Sequence, residues 1–354
     1  MSQLEGEHNS LRYLVDGPEG APPLVLLNSL GTTTELWAGQ MAAFSRFFRV
    51  VRYDHPGHGG SGPAAGGISI DTLGAELLRL LDHLGIGRAS FCGLSLGAMV
   101  ALTVAARHPE RVERLVAAST VARMPQAGYW RGRAARVREE GLEPLAAQLL
   151  ERWFSAGYLQ SQPPLLADLR HRLLGVDRSS YAAACEALET FDLTPELALI
   201  QAPTLVLAGA GDLATPAELA LALQQGIPGA ELLVLARAGH LANVERPQEF
   251  SEAALRHLVG GPRERGLRVR RRVLGDAHVD RALARATLLD QDFQELITAY
   301  AWGEVWSRPG LDLPTRRLLT IALLTALGRF DELEMHLRAA RHDLTEEQVR
   351  EVLL

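Results

Sequence analysis

The chain contains no lysine, since all 36 of its basic residues are arginine. Chemistry that needs a lysine amine is therefore excluded, which removes Schiff-base catalysis, pyridoxal phosphate anchoring and a Walker-type phosphate loop. Cysteine is almost as scarce. Cys92 and Cys185 are far apart in sequence, so no disulfide framework is expected, and both read as small buried apolar residues in a reducing cytoplasm. No apolar run reaches the ~18 residues of a membrane span. The start, MSQLEGEHNS, lacks the basic and apolar regions of a signal peptide. A net charge of -6 gives no reason to expect nucleic acid as a partner.

What is present is ample core material, with 47% hydrophobic and 22% charged residues over 354 positions, enough for two globular domains. Short apolar runs at Leu24–Asn28 and Arg49–Tyr53 are followed by Gly-rich turns, as buried parallel strands are. A helical stretch over 71–84 separates them from Ala89–Cys92, and Leu115–Ala118, Thr204–Ala208 and Leu232–Leu235 continue the pattern. Strands alternating with helices predict an α/β architecture with a mostly parallel sheet.

Residues 122–198 interrupt this rhythm, with helical composition and the aromatic anchors Tyr129, Trp130 and Trp153. An all-helical insertion between two sheet strands reads as a cap over the active site. Residues 259–266 read as a linker closing a first domain at 258, and the six arginines within 263–272 as a solvated interdomain segment. From 267 the chain reads as helical, over 276–306, 312–328, 330–342 and 345–354, the last capped by Thr345.

The strongest chemical motif is Gly93-Leu94-Ser95-Leu96-Gly97, set between an apolar strand and a helix. A serine on such a tight strand-to-helix turn presents its hydroxyl outward, and the helix N-terminus favours developing negative charge. A hydroxyl needs a base, and the base needs an orienting acid, in the chain order serine, acid, histidine. Asp212 follows the strand at 204–208 and His240 follows that at 232–235, so Ser95, Asp212 and His240 are the expected nucleophile, acid and base. The oxyanion donors are expected at the N–H groups of Leu96 and of Leu30, in the loop Asn28-Ser29-Leu30-Gly31-Thr32. The stretch Asp54-His55-Pro56-Gly57-His58-Gly59-Gly60-Ser61 reads as a structural turn, because its glycines set the geometry and no acid is spaced for a metal site. No metal or other cofactor is expected.

These residues carry a resemblance to α/β-hydrolase-fold enzymes of the 3-oxoadipate enol-lactonase family, over the first 258 residues. It rests on the 28–32 loop, the 93–97 motif, Glu151-Arg152-Trp153-Phe154 and Gly239-His240-Leu241-Ala242-Asn243-Val244-Glu245. Residues 267–354 resemble the 4-carboxymuconolactone decarboxylase family through Val273–Arg281, Tyr300–Trp306 and His336–Ala340. That second family makes the enol-lactone which the first hydrolyses, in the protocatechuate branch of the β-ketoadipate pathway. The resemblance implies a lactone carboxylate as substrate, with Trp130 and Arg133 of the cap as its binding residues. In the tail it implies His336, Glu304 and Arg316 as decarboxylase candidates on an alkylhydroperoxidase-like helical fold. The family continues into a further helical segment, so an incomplete tail is expected. A tail without cysteine excludes thiol redox chemistry. Two alternatives stay open: a general carboxylesterase or carbon–carbon bond hydrolase on the same three residues, and a tail that serves only to form a homo-oligomer.

Overall fold

The apolar runs form the centre of an eight-stranded sheet in a computed structural model, which describes residues 2–5, 10–64, 66–125, 128–161, 163–287, 289–308, 310–341 and 343–354. In chain order the strands are β1 (Ser2–Glu5), β2 (Ser10–Asp16), β3 (Pro23–Leu27), β4 (Arg49–Tyr53), β5 (Ala89–Leu94), β6 (Val112–Ala118), β7 (Thr204–Gly209) and β8 (Glu231–Leu235). Across the sheet they run β1-β2-β4-β3-β5-β6-β7-β8. The pairings from β4 to β8 are parallel, and β1 and β2 add an antiparallel margin.

That margin has no counterpart among the expected strands. In β2 only Leu11 and Tyr13 turn inward, and in β1 no residue is buried, so neither segment shows the apolar run of a central strand. Central β5 and β7 are buried throughout because helices cover both faces. Chain order reverses direction on either side of β3, and the crevice of such a sheet opens there, beyond the C-terminal strand ends.

Between β6 and β7 the chain is helical, at Tyr129–Glu140, Ala146–Trp153, Ala156–Gln160, Leu165–Leu174 and Arg178–Thr190. The first of these has a glycine at its N-cap and no side-chain cap of its own. Its orphan N–H groups instead meet Glu189, whose carboxylate accepts from Gly128, Trp130 (3.1 Å) and Arg131 (3.3 Å). Cys92 and Cys185 are free and buried.

The chain divides into two compact units, Met1–Leu258 and Val259–Leu354. In the second unit the expected linker is corrected, since helix Pro262–Leu274 begins inside it. The arginines there are engaged rather than simply solvated. Arg265 meets Glu304 and the Gly303 carbonyl, and Arg271 meets Asp276 and Asp280. The long helix expected over 276–306 is broken into Asp276–Arg285, Gln291–Ile297 and a π-helical stretch Thr298–Trp306. Close packing explains two glycines here: a Cβ on Gly266 would lie 1.8 Å from the Thr298 carbonyl oxygen, and one on Gly303 would lie 1.9 Å from that of Pro262. Helices Leu313–Ala326, Phe330–Ala340 and Glu346–Leu353 complete the unit, the last with Thr345 and Gln348 in a reciprocal capping box. Among the described residues no helix is long and apolar enough to cross a membrane.

Candidate active site

Ser95 stands between β5 and the helix Leu96–Arg107 with φ 54° and ψ -115°, a positive φ that costs a non-glycine residue energy. Neighbouring strands hold it there. Its N–H donates to the Ala118 carbonyl at 2.9 Å, and its own carbonyl accepts from the Thr120 hydroxyl at 3.1 Å. Gly97 is needed for close approach, because a Cβ would fall 2.3 Å from the Leu27 carbonyl oxygen and 2.7 Å from that of Asn28. The helix start is thereby pressed against the end of β3 and the first residue of the loop that carries Leu30. Among the described residues neither the Leu96 N–H nor the Leu30 N–H has an acceptor.

Asp212 follows β7 and His240 follows β8. Asp212 Oδ2 accepts from His240 Nδ1 at 2.8 Å, and both residues are buried. A carboxylate acceptor places the imidazole proton on Nδ1 and leaves Nε2 as the basic nitrogen. The other lone pairs of Asp212 are filled by the N–H groups of Ala214 (2.7 Å) and Thr215 (2.8 Å) and by the Thr215 hydroxyl (2.7 Å). Burial pushes the Asp212 carboxyl up, but His240 and these hydrogen bonds outweigh it and hold the group below its ordinary range.

Ser95, His240, Leu30, Trp130 and Arg133 line one cavity beneath the inserted helices. Arg133 has no carboxylate partner among the described residues. Its guanidinium lies 4.5 Å from the Trp130 ring centroid and 4.8 Å from that of Tyr129, and it donates to the Tyr129 hydroxyl. Arg152, passed over as a site residue in the sequence, lines the same cavity and lies 5.4 Å from the Tyr129 ring. Glu245 was passed over too. Its carboxylate accepts from Gly239 N–H (2.9 Å) next to His240, and from the N–H (3.2 Å) and hydroxyl of Ser155.

A model of the alpha/beta hydrolase fold matches residues 22–247. The chain belongs to the α/β-hydrolase family. This hydrolase is 39% identical over 250 residues to 3-oxoadipate enol-lactonase 2 of Acinetobacter baylyi, a match spanning 71% of this chain and 93% of the relative. The solved enol-lactonase from Burkholderia xenovorans LB400 aligns with a TM-score of 0.71 at 40% identity, over 73% of this chain and 100% of that one. The carboxymuconolactone decarboxylase family matches residues 291–354 of the hydrolase. Over 92 residues, 26% of this chain and 69% of the relative, its tail is 53% identical to 4-carboxymuconolactone decarboxylase of Acinetobacter baylyi.

In that tail the three candidates do not gather. His336 is buried beside Trp306 and Trp302, with ring centroids at 5.8 and 6.5 Å and planes within 20°. Burial above all, with Arg317 and His278 close by, pushes its imidazole down to about 4. Glu304 is exposed on Arg265, and Arg316 donates to the carbonyls of Leu311 and Arg308. Arg317, not Arg316, is the buried neighbour, its guanidinium reaching the Val273 carbonyl and Asp343.

Proposed function

We propose that this hydrolase opens 3-oxoadipate enol-lactone to 3-oxoadipate in the cytoplasm, in the protocatechuate branch of the β-ketoadipate pathway, with Ser95 as nucleophile, His240 as general base and Asp212 as orienting acid. The observation that carries this is the 2.8 Å Asp212–His240 bond, with His240, Ser95 and the carboxylate-free Arg133 on one cavity. Ser95 Oγ, giving its proton to His240, attacks the lactone carbonyl, and the N–H groups of Leu96 and Leu30 hold the oxyanion. The departing enolate is a far better leaving group than an alkoxide and takes up a proton to become the ketone. Water activated by His240 then releases the acid from Ser95. Arg133, held over the Trp130 ring, supplies the cation for the substrate carboxylate.

The match to the decarboxylase family supports a second activity in the tail, loss of carbon dioxide from 4-carboxymuconolactone to form that same enol-lactone. His336, in its aromatic slot, is proposed to act there as a neutral hydrogen-bonding group, since its lowered pKa leaves it unprotonated at pH 7 and the proton that carbon takes up comes from water. A competing role for the tail is assembly. It exposes two apolar stripes, Phe293, Leu296 and Tyr300 on one and Leu319, Leu323 and Leu327 on the other.

The deciding experiment follows enol-lactone absorbance with wild type and Ser95→Ala. Rapid loss that the substitution abolishes supports the full reading. Turnover of aryl esters without enol-lactone would leave a general carboxylesterase and discard the pathway.

A further inference from the structure

The turn Asp54–Ser61 reads in the sequence as structural only, yet its two histidines reach the loop that follows β3. Both are buried. His55 Nε2 lies 2.9 Å from the Asn28 carbonyl oxygen, so its proton sits on Nε2, and its buried Nδ1 has no partner. His58 is the reverse. Its Nδ1 faces the Pro56 carbonyl at 3.0 Å and must donate, which leaves Nε2 to accept the Gly31 N–H at 3.1 Å.

Those two bonds hold the peptides Asn28–Ser29 and Leu30–Gly31. The peptide between them, Ser29–Leu30, carries the N–H assigned above to the oxyanion. Its carbonyl accepts from Thr32 twice, from the N–H at 3.2 Å and the hydroxyl at 2.8 Å. In a trans peptide the N–H points opposite to the C=O, so the Leu30 N–H is aimed away from Thr32. Three consecutive peptides are thus pinned, and among the described residues the Leu30 N–H of the middle one is left without an acceptor, as is the Ser29 N–H before it.

We propose that His55 and His58 are positioning residues for hydrolysis, clamping in opposite neutral tautomers the peptides on either side of Ser29–Leu30 so that the Leu30 N–H is held ready for the oxyanion. This rests on the reading of Ser95 as nucleophile. Burial lowers both imidazoles, His55 to about 4 with help from His58, while Asp54 beside both and Asp177 beside His58 pull the other way. Neutral rings are what the two bonding patterns require.

The test uses the full chain with p-nitrophenyl acetate, Ser95→Ala serving as the control for the nucleophile. His58→Leu is expected to lower kcat about 10- to 100-fold, less than or comparable to deleting an oxyanion donor outright. KM should stay within about threefold, since the contact matters in the transition state. Affinity for a trifluoromethyl ketone, which forms a tetrahedral adduct, should fall in the same proportion, while inhibition by 3-oxoadipate is unchanged. His58→Gln, whose amide oxygen can accept from Gly31, should recover both losses. A folded His58→Leu with wild-type kcat and ketone affinity would overturn the clamp. Should that variant not fold, nitrogen-15 histidine spectra of the wild type decide: Nε2–H at His55 and Nδ1–H at His58 are expected, and Nε2–H at His58 would overturn it. Turnover that survives Ser95→Ala would remove the nucleophile reading, and the proposal with it.

Discussion

Leu241, the residue after His240, donates its N–H to the carbonyl of Trp153 at 2.9 Å, and Trp153 walls the cavity that His240 also lines. Glu245 reinforces the join by taking N–H groups from Gly239 on one side and Ser155 on the other. The His240 loop and the corner between two inserted helices are therefore joined into one piece.

Glu245→Gln should loosen that piece. The amide keeps the shape but surrenders charge-assisted bonds worth about 1.5–3 kcal/mol each. We expect kcat to fall about tenfold through misplacement of His240, with a lower urea midpoint. Steady-state kinetics and urea unfolding on the same preparation check both, and unchanged kinetics would make the contact purely structural.

Arg133→Leu separates recognition from chemistry. Removing a charge-assisted partner of a carboxylate costs about 1.5–3 kcal/mol, so KM for the enol-lactone acid should rise about 10- to 100-fold. Turnover of neutral p-nitrophenyl acetate should be nearly unaffected. An equal loss on both substrates would show that Arg133 supports the cap rather than the carboxylate.

Acid should weaken the first unit through His55. Its folded pKa of about 4 lies below the 6.5 of an unfolded histidine, so between those values the unfolded chain binds the extra proton. Stability is complete above the window and falls as pH drops through it, by about 2 kcal/mol at pH 5 from this one group. Urea midpoints at pH 7 and pH 5 measure the loss, and His55→Gln should flatten it. Asp212 adds in the same direction lower down, because its depressed carboxyl stabilises the fold only while ionised.

The exposed stripe of Leu319, Leu323 and Leu327 predicts an assembly broken by charge. Wild type should elute above monomer mass, and Leu323→Glu with Leu327→Glu should shift it to the monomer with enol-lactone turnover retained. Equal masses for both would remove assembly from the roles of the tail.

Some of this was legible in the residues because local rules decide it. Buried parallel strands must be continuous apolar runs, so β3 to β7 stand out, whereas β1 and β2 lie at a margin with little buried surface. The Ser95 turn, and the order of Asp212 and His240 after their strands, likewise follow from the chain path. The helix at Pro262–Leu274 was hidden by the Gly-Gly-Pro and dense arginine of a linker-like composition. In the tail, sequence spacing could not separate Arg316 from Arg317, because which of two adjacent side chains is buried depends on the helices packed against them.

By itself, then, the sequence determined the central strands, their alternation with helices and the identity of the groups able to do chemistry, since backbone propensity and burial pattern act over a few residues. Only the tertiary structure decided which groups meet. Asp54–Ser61 and Asn28–Thr32 are bonded although His58 and Gly31 are 27 positions apart, and Glu245 reaches Ser155 across 90. Hydrogen-bond direction, and with it the tautomer of each histidine, depends on where partner atoms lie in space. No local pattern carries that.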